Sequence, residues 1–219
     1  MQAINNPFLD FSDYAIYNPG TLEMALPLIE AVAIKPGMRV LEIGAGSGKV
    51  ACILAKHWNV TVIALEPWSD GADIQARAAR EGVWDRVISM KLEVQNLPFS
   101  RDSFDAVIAF GTLEMIGQDR SIALEQIKKV LKPGSSFGIA EAMNLDAENP
   151  SFEFNTLEGN RKLFEHHGFE IAHASYFKDG FQWWLDNADR IQKHDEHERL
   201  VRADGGRSLS LGMIVGRKP

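Results

Sequence analysis

The sequence predicts an α/β fold: an open, doubly wound, mostly parallel sheet of seven strands with helices on both faces. Three observations predict it. Short apolar, β-branched runs alternate with stretches of helical periodicity along most of the chain, the pattern of successive strand–helix–strand units. One such unit, residues 39–50 (RVLEIGAGSGKV), joins a strand to a helix through three glycines at alternate positions, Gly44, Gly46 and Gly48. Glu42, Glu66, Glu93 and Phe110 fall near the ends of successive strands, where the ligand crevice of such a sheet lies. Right-handed crossovers make the arrangement Rossmann-like.

The elements follow in order. Phe8, Phe11, Tyr14 and Tyr17 are spaced by three and share one face of a short helix, either packed on the body or lying as a lid over the ligand site. Asn18-Pro19-Gly20 is a turn signal, and Thr21 is placed to cap a helix reaching to about residue 33. Val40, Leu41 and Ile43 form a strand buried on both faces. After the glycines, Val50, Ile53 and Leu54 recur at helical spacing to about residue 57. Residues 60–65 (VTVIAL) are the second strand, ending at Glu66-Pro67-Trp68. A helix over 70–81 closes at Gly82, and residues 86–90 are the third strand. Residues 104–110 (FDAVIAF) are the fourth. A helix over 119–131 breaks at Lys132-Pro133-Gly134, before a fifth strand over 135–141.

Residues 144–155 read as a loop, 156–167 as a helix stopped by Gly168, and 169–176 as a sixth strand. Residues 177–205 are richly charged around an aromatic knot, Phe181-Gln182-Trp183-Trp184. Residues 207–215 alternate and form the last strand. No repeat or linker divides the chain. One domain over 1–219 is expected, with an N-terminal helical part (1–36), a core (37–145) and a C-terminal half (146–219) carrying an insertion at 177–205.

Composition narrows the function. The net charge of −7 argues against a broad phosphate-binding surface and so against nucleic acid as the main partner. Cys52 is the sole cysteine, on the apolar side of its helix, so no internal disulfide forms and the thiol is expected to be inert. No apolar run approaches the roughly 20 residues that span a membrane, and no leader is visible, so a cytoplasmic monomer or homodimer is expected.

The glycine turn fits neither of two common fingerprints. A P-loop needs Gly at position 43 and Ser or Thr at position 50, where Ile43 and Val50 stand. The dinucleotide pattern needs a third Gly at position 49, where Lys49 stands. What remains is Glu-x-Gly-x-Gly-x-Gly, from Glu42 to Gly48. That pattern resembles motif I of class I S-adenosylmethionine (SAM)-dependent methyltransferases. Further stretches match in order: Glu66 at the end of the second strand, residues 92–99 (LEVQNLPF), residues 103–107 (SFDAV) and residues 130–134 (VLKPG). Over about residues 37–144 the chain is similar to the methyltransferase type 11 group, which includes ubiquinone-biosynthesis-like and many small-molecule enzymes. Leu92 and Glu93 depart from the Gly-Asp of that group.

The resemblance implies a cofactor, SAM, with S-adenosylhomocysteine (SAH) as product and a small-molecule acceptor. It implies that Glu42, Gly44, Ala45, Gly46 and Gly48 hold the cofactor through the turn. It gives Glu66 the ribose hydroxyls, with Pro67 and Trp68 beside it, since a carboxylate offers several acceptor sites to a diol. It gives Glu93 the adenine amino group and the Val94 N–H an adenine ring nitrogen. Phe110 and Gly111 pass the methyl-transfer region, and Tyr17 reaches the cofactor from the N-terminal segment. Tyr14, Glu114, Trp183 and Trp184 are substrate-side candidates, against a helix-start role for Glu114 and an anchoring role for the tryptophans. Asp105 reads as structural.

No catalytic base or metal site is assigned. His194-x-x-His197 can share a helix face with acids nearby, but no third ligand is pinned by the spacing, and the pattern reads as a solvated charged helix. His166 and His167 sit at a helix end, where they complement the dipole. Two rivals remain: a SAM-binding sensor or accessory subunit without catalysis, and a nicotinamide-dependent oxidoreductase, whose fingerprint Lys49 breaks.

Overall fold

The computed structural model describes residues 6–11, 18–146, 153–192 and 195–219. Its strands are β1 (Arg39–Ile43), β2 (Thr61–Leu65), β3 (Val87–Met90), β4 (Phe104–Phe110), β5 (Leu131–Asn144), β6 (Glu170–Tyr176) and β7 (Leu209–Arg217). They form one sheet in the order β3-β2-β1-β4-β5-β7-β6. The pairs β2–β3, β1–β2, β1–β4 and β4–β5 are parallel, and β7 lies antiparallel between β5 and β6. This is the doubly wound, mostly parallel, seven-stranded sheet that the alternation predicts.

The helices are α1 (Thr21–Val32), α2 (Lys49–Trp58), α3 (Ala72–Arg80), α4 (Leu113–Ile116), α5 (Arg120–Val130), α6 (Leu157–His166), α7 (Gly180–Arg190) and α8 (Glu196–Asp204). Strand side chains point alternately to the two faces. Val40, Val62 and Ile108 pack with Leu28 of α1, Leu54 of α2 and Ile74 of α3. Leu41, Ile63 and Val107 pack with Leu124 and Ile127 of α5 and Phe164 of α6 on the other face. Helices on both faces cover every strand between β2 and β5, which is why those strands read as unbroken apolar runs. The chain reverses its direction of winding between β1 and β4, and the carboxyl ends of those two strands open the crevice.

Local chemistry differs from the sequence reading at several places. Thr21 does not cap α1. Gly20, in the left-handed region at φ 68°, takes that position, and the Thr21 hydroxyl donates to Asn18 O at 3.0 Å. Lys132-Pro133-Gly134 does not break the chain before β5. The strand begins at Leu131 and shifts register, with the Gly134 N–H donating to Lys218 O at 2.8 Å. The carbonyls after α6 are met by Lys128, whose ammonium donates to His167 O and Gly168 O at 2.9 Å each, rather than by the histidines. Asp105 is structural: it accepts from the Arg39 N–H at 2.8 Å and from Lys132 at 2.5 Å, tying β1 to β4 and β5.

The charged stretch 177–205 contains α7 and α8. Trp184 is buried on α7 and donates to Glu198 of α8 at 3.3 Å, while Trp183 packs on Phe177 with ring centroids 5.3 Å apart. The tryptophans anchor this segment to the sheet. Among the described residues no helix is long and apolar enough to cross a membrane.

Candidate functional site

A cleft of about 700 Å³ opens at the carboxyl ends of β1, β2 and β4, a size typical of small-molecule sites. Its floor is the turn between β1 and α2. Three of the turn's amides are engaged within the protein: Ala45 N–H donates to Leu65 O at 2.8 Å, Gly48 N–H to Ala45 O at 2.8 Å, and Gly46 N–H to Glu66 Oε2 at 2.9 Å. These three bonds fix the shape of the turn, and Gly44 and Ser47 of the same turn line the cleft. Gly46, at φ 53°, has nothing within 4 Å of where a Cβ would stand, so the backbone lies open to the cleft. Gly44 is required by a close approach, since a Cβ there would lie 2.2 Å from Thr112 Oγ1. Gly48 does not line the cleft. It starts α2, and a Cβ would meet Ile74 of α3 at 2.8 Å.

Two glutamates flank the turn. Glu66 is held rigidly, with Oε2 accepting from Gly46 and Oε1 accepting from the Trp68 N–H at 3.0 Å. Each oxygen keeps a further lone pair for another donor. Glu42 is only 3% exposed, lines the cleft, and has an enclosed Oε2 with no hydrogen-bond partner. Burial pushes its carboxyl up to about 8, with the Ala51 N–H offsetting part of the shift and the Glu66 charge adding to it.

Pro67 and Trp68 continue the wall from β2, and Trp68 is 76% exposed on the rim. Glu93, exposed, and Val94, buried, bring the chain beyond β3 to the same cleft. Phe110 and Gly111 close it beyond β4, where the Asn18 amide donates to Phe110 O at 3.4 Å and Gly111 O at 3.2 Å. Tyr14 and Tyr17 lie outside the described residues.

The substrate-side candidates that are described do not reach the cleft. Glu114 turns away from it, and its Oε2 accepts from the Ala142 N–H at 2.7 Å. That amide belongs to the part of β5 that runs past the end of β4, so no ladder partner serves it on that side. In return Glu141, 1% exposed on β5, accepts from the Glu114 N–H at 3.1 Å at the start of α4. Arg120 donates to Leu113 O at 2.8 Å and Glu114 O at 3.1 Å. Burial holds both carboxyls above their ordinary range, the Glu141 charge raises Glu114 further, and Arg120 pulls both back. Trp183 and Trp184 belong to the anchor described above.

Sequence reasoning missed Glu141, whose signal is a lone acid within the apolar run Phe137 to Met143. It missed Asn18, Thr112, Met115 and Ile116 on the cleft, and treated Lys49 only as a break in a fingerprint. Lys49 lines the cleft at 5% exposure and its ammonium donates to Asp10 O. Cys52 is buried and its thiol is pushed up to about 12 by burial, so it is inert. His194 lies outside the described residues, and among those described no group of three ligating side chains is placed to hold a metal.

Residues 41–139 match the family model described as a methyltransferase domain. A sterol 24-C-methyltransferase, ERG6B of Gibberella zeae, is 34% identical over 163 residues, 69% of this chain and 42% of that protein. The chain spans less than half the length of the curated relatives it matches. Among solved structures, the [4+2]-cyclase SpnF superposes with a TM-score of 0.78 at 20% identity, covering 90% of this chain and 80% of that one. The phosphoethanolamine N-methyltransferase 2 of Haemonchus contortus, in complex with SAM, superposes with a TM-score of 0.74 at 19% identity, covering 93% and 54%. At these identities the structural likeness is one of fold.

Proposed function

We propose, from the match of residues 41–139 to the methyltransferase-domain family, that the protein binds SAM and transfers its methyl group to a small-molecule acceptor. The observation that carries the reading is the pair Glu42 and Glu66 on either side of the bare glycine turn, in one cleft of suitable size. The residues fit the cofactor. Glu66, locked by two backbone donors, has lone pairs left for two ribose hydroxyls. The orphaned oxygen of Glu42 suits the ammonium of the methionyl part. Glu93 and Val94 take the adenine edge, and the exposed Trp68 ring offers it a face. Gly48 supports the turn from behind.

When bound, SAM supplies a methyl group already activated by its sulfonium. The protein's part is alignment: fixing the donor against the ends of β1 and β4 and presenting the acceptor in line with it. Phe110, Gly111 and Thr112 line the end where the two would meet. The family, and the SAM complex of a fold neighbour, support this cofactor. Titration calorimetry with SAM and SAH tests it. Saturable binding of both is expected, and absence of heat at millimolar ligand on folded protein rejects the reading.

A further inference from the structure

The cleft is asymmetric, and the asymmetry speaks about the acceptor. Carboxylates gather on the side assigned to the cofactor: Glu42, Glu66, Asp73 and Glu93. The end beyond β4 is lined instead by Phe110, Thr112, Met115 and Ile116. Met115 is 56% exposed there, a large apolar side chain on a concave surface. Such a wall is satisfied by an apolar occupant.

The polar groups at this end reinforce the point, because their donors are engaged. The Thr112 hydroxyl lies 3.1 Å from Ile43 O and 3.0 Å from Phe110 O and donates to these backbone carbonyls. The Asn18 amide donates to Phe110 O and Gly111 O, and the Thr21 hydroxyl donates to Asn18 O. Arg120, the cation next to α4, is buried and donates from Nε to Leu113 O and from Nη2 to Glu114 O. Lys49 sits on the opposite side, at the start of α2, and its ammonium donates to Asp10 O. An anion entering beside Met115 would meet carboxylates across the cleft, and the cations, hydroxyls and amide named here already donate to backbone carbonyls.

Resting on the methyl-transfer reading, we propose that the acceptor is neutral, with an apolar skeleton around its reacting atom and no phosphate or carboxylate there, and is selected by Met115 and Ile116 of α4. Two probes of the same ring system test it, 2-naphthol and 2-naphthyl phosphate, titrated by ligand-observed NMR against protein saturated with SAH. The neutral probe is expected to bind at least tenfold more tightly than the phosphate. Met115→Lys, at an exposed position that leaves the core untouched, is expected to reverse or erase that preference. Equal or tighter binding of the phosphate to the native protein overturns the proposal. So does failure of 2-naphthol to bind, or an unchanged preference in Met115→Lys. Failure of SAH itself to bind sinks the methyl-transfer reading first, and is seen separately in the calorimetry.

Discussion

Two pairs of glutamates stand at the carboxyl edge of one sheet, and they do opposite things. Glu114 and Glu141, around α4 and the end of β5, are matched to the protein itself: each accepts a backbone N–H of the other's segment, with a buried guanidinium beside them. Glu42 and Glu66, around the glycine turn, face a cleft, and one of the four oxygens has no partner. Burial alone does not tell a binding carboxylate from a structural one. Position together with the hydrogen-bond inventory does: Glu42 and Glu66 line the cleft with acceptor capacity left over, whereas Glu114 and Glu141 spend theirs on each other's backbone.

The comparison breaks most visibly at Glu141. Glu141→Ala removes the acceptor at the start of α4 and leaves Arg120 buried with less countercharge. A loss of about 3 kcal/mol is expected, read as a lowered midpoint in urea unfolding at neutral pH. A variant as stable as the native protein would show that the reciprocal contacts are incidental.

Glu66 tests the other pair. Glu66→Ala removes an acceptor for two ligand hydroxyls, each charged hydrogen bond being worth about 1.5–3 kcal/mol. SAH affinity in calorimetry should fall by at least about tenfold. Stability should fall too, though less than for Glu141, because the Gly46 and Trp68 amides lose their acceptor but lie at a cleft that water enters. Unchanged affinity would remove Glu66 from the cofactor site.

Much of this was legible in the sequence, and the reason is locality. The β1 unit announces itself because its apolar run, its glycines and its helix are contiguous. Glu66 stands out because an acid ends a β-branched strand at a fixed distance from that turn. What was hidden depends on contacts distant in sequence. Glu141 looks like a solitary acid until β5 is seen to outrun β4, so that Ala142 needs an acceptor from α4. Gly48 reads as part of the ligand turn, but Ile74, across the α2–α3 packing, is what excludes a side chain there. Trp183 and Trp184 look equally like a substrate wall or an anchor until α7 is placed on the sheet away from the cleft.

The last test concerns the protonation of Glu42. Burial holds Glu42 at about 8 in the empty cleft, so it is mostly protonated at pH 7. A ligand ammonium against its orphaned oxygen favours the carboxylate, so binding should release up to one proton. SAH affinity should then rise with pH through the range 6 to 8 and flatten above about 8, at most tenfold per unit. Calorimetry in buffers of different ionisation enthalpy reads the released proton directly. The same shift acts on stability with a definite sign. A folded-state value above the ordinary 4.5 means that holding Glu42 in place costs nothing at pH 4, and increasingly more as pH rises to 8. Glu42→Gln should therefore gain on the native protein as pH rises from 5 to 8, by up to ~1.4 kcal/mol per unit, while its SAH affinity loses its pH dependence. Both changes are needed. A variant that gains stability but keeps the slope of affinity against pH places the titrating group elsewhere in the cleft, and the orphaned oxygen then has some other use.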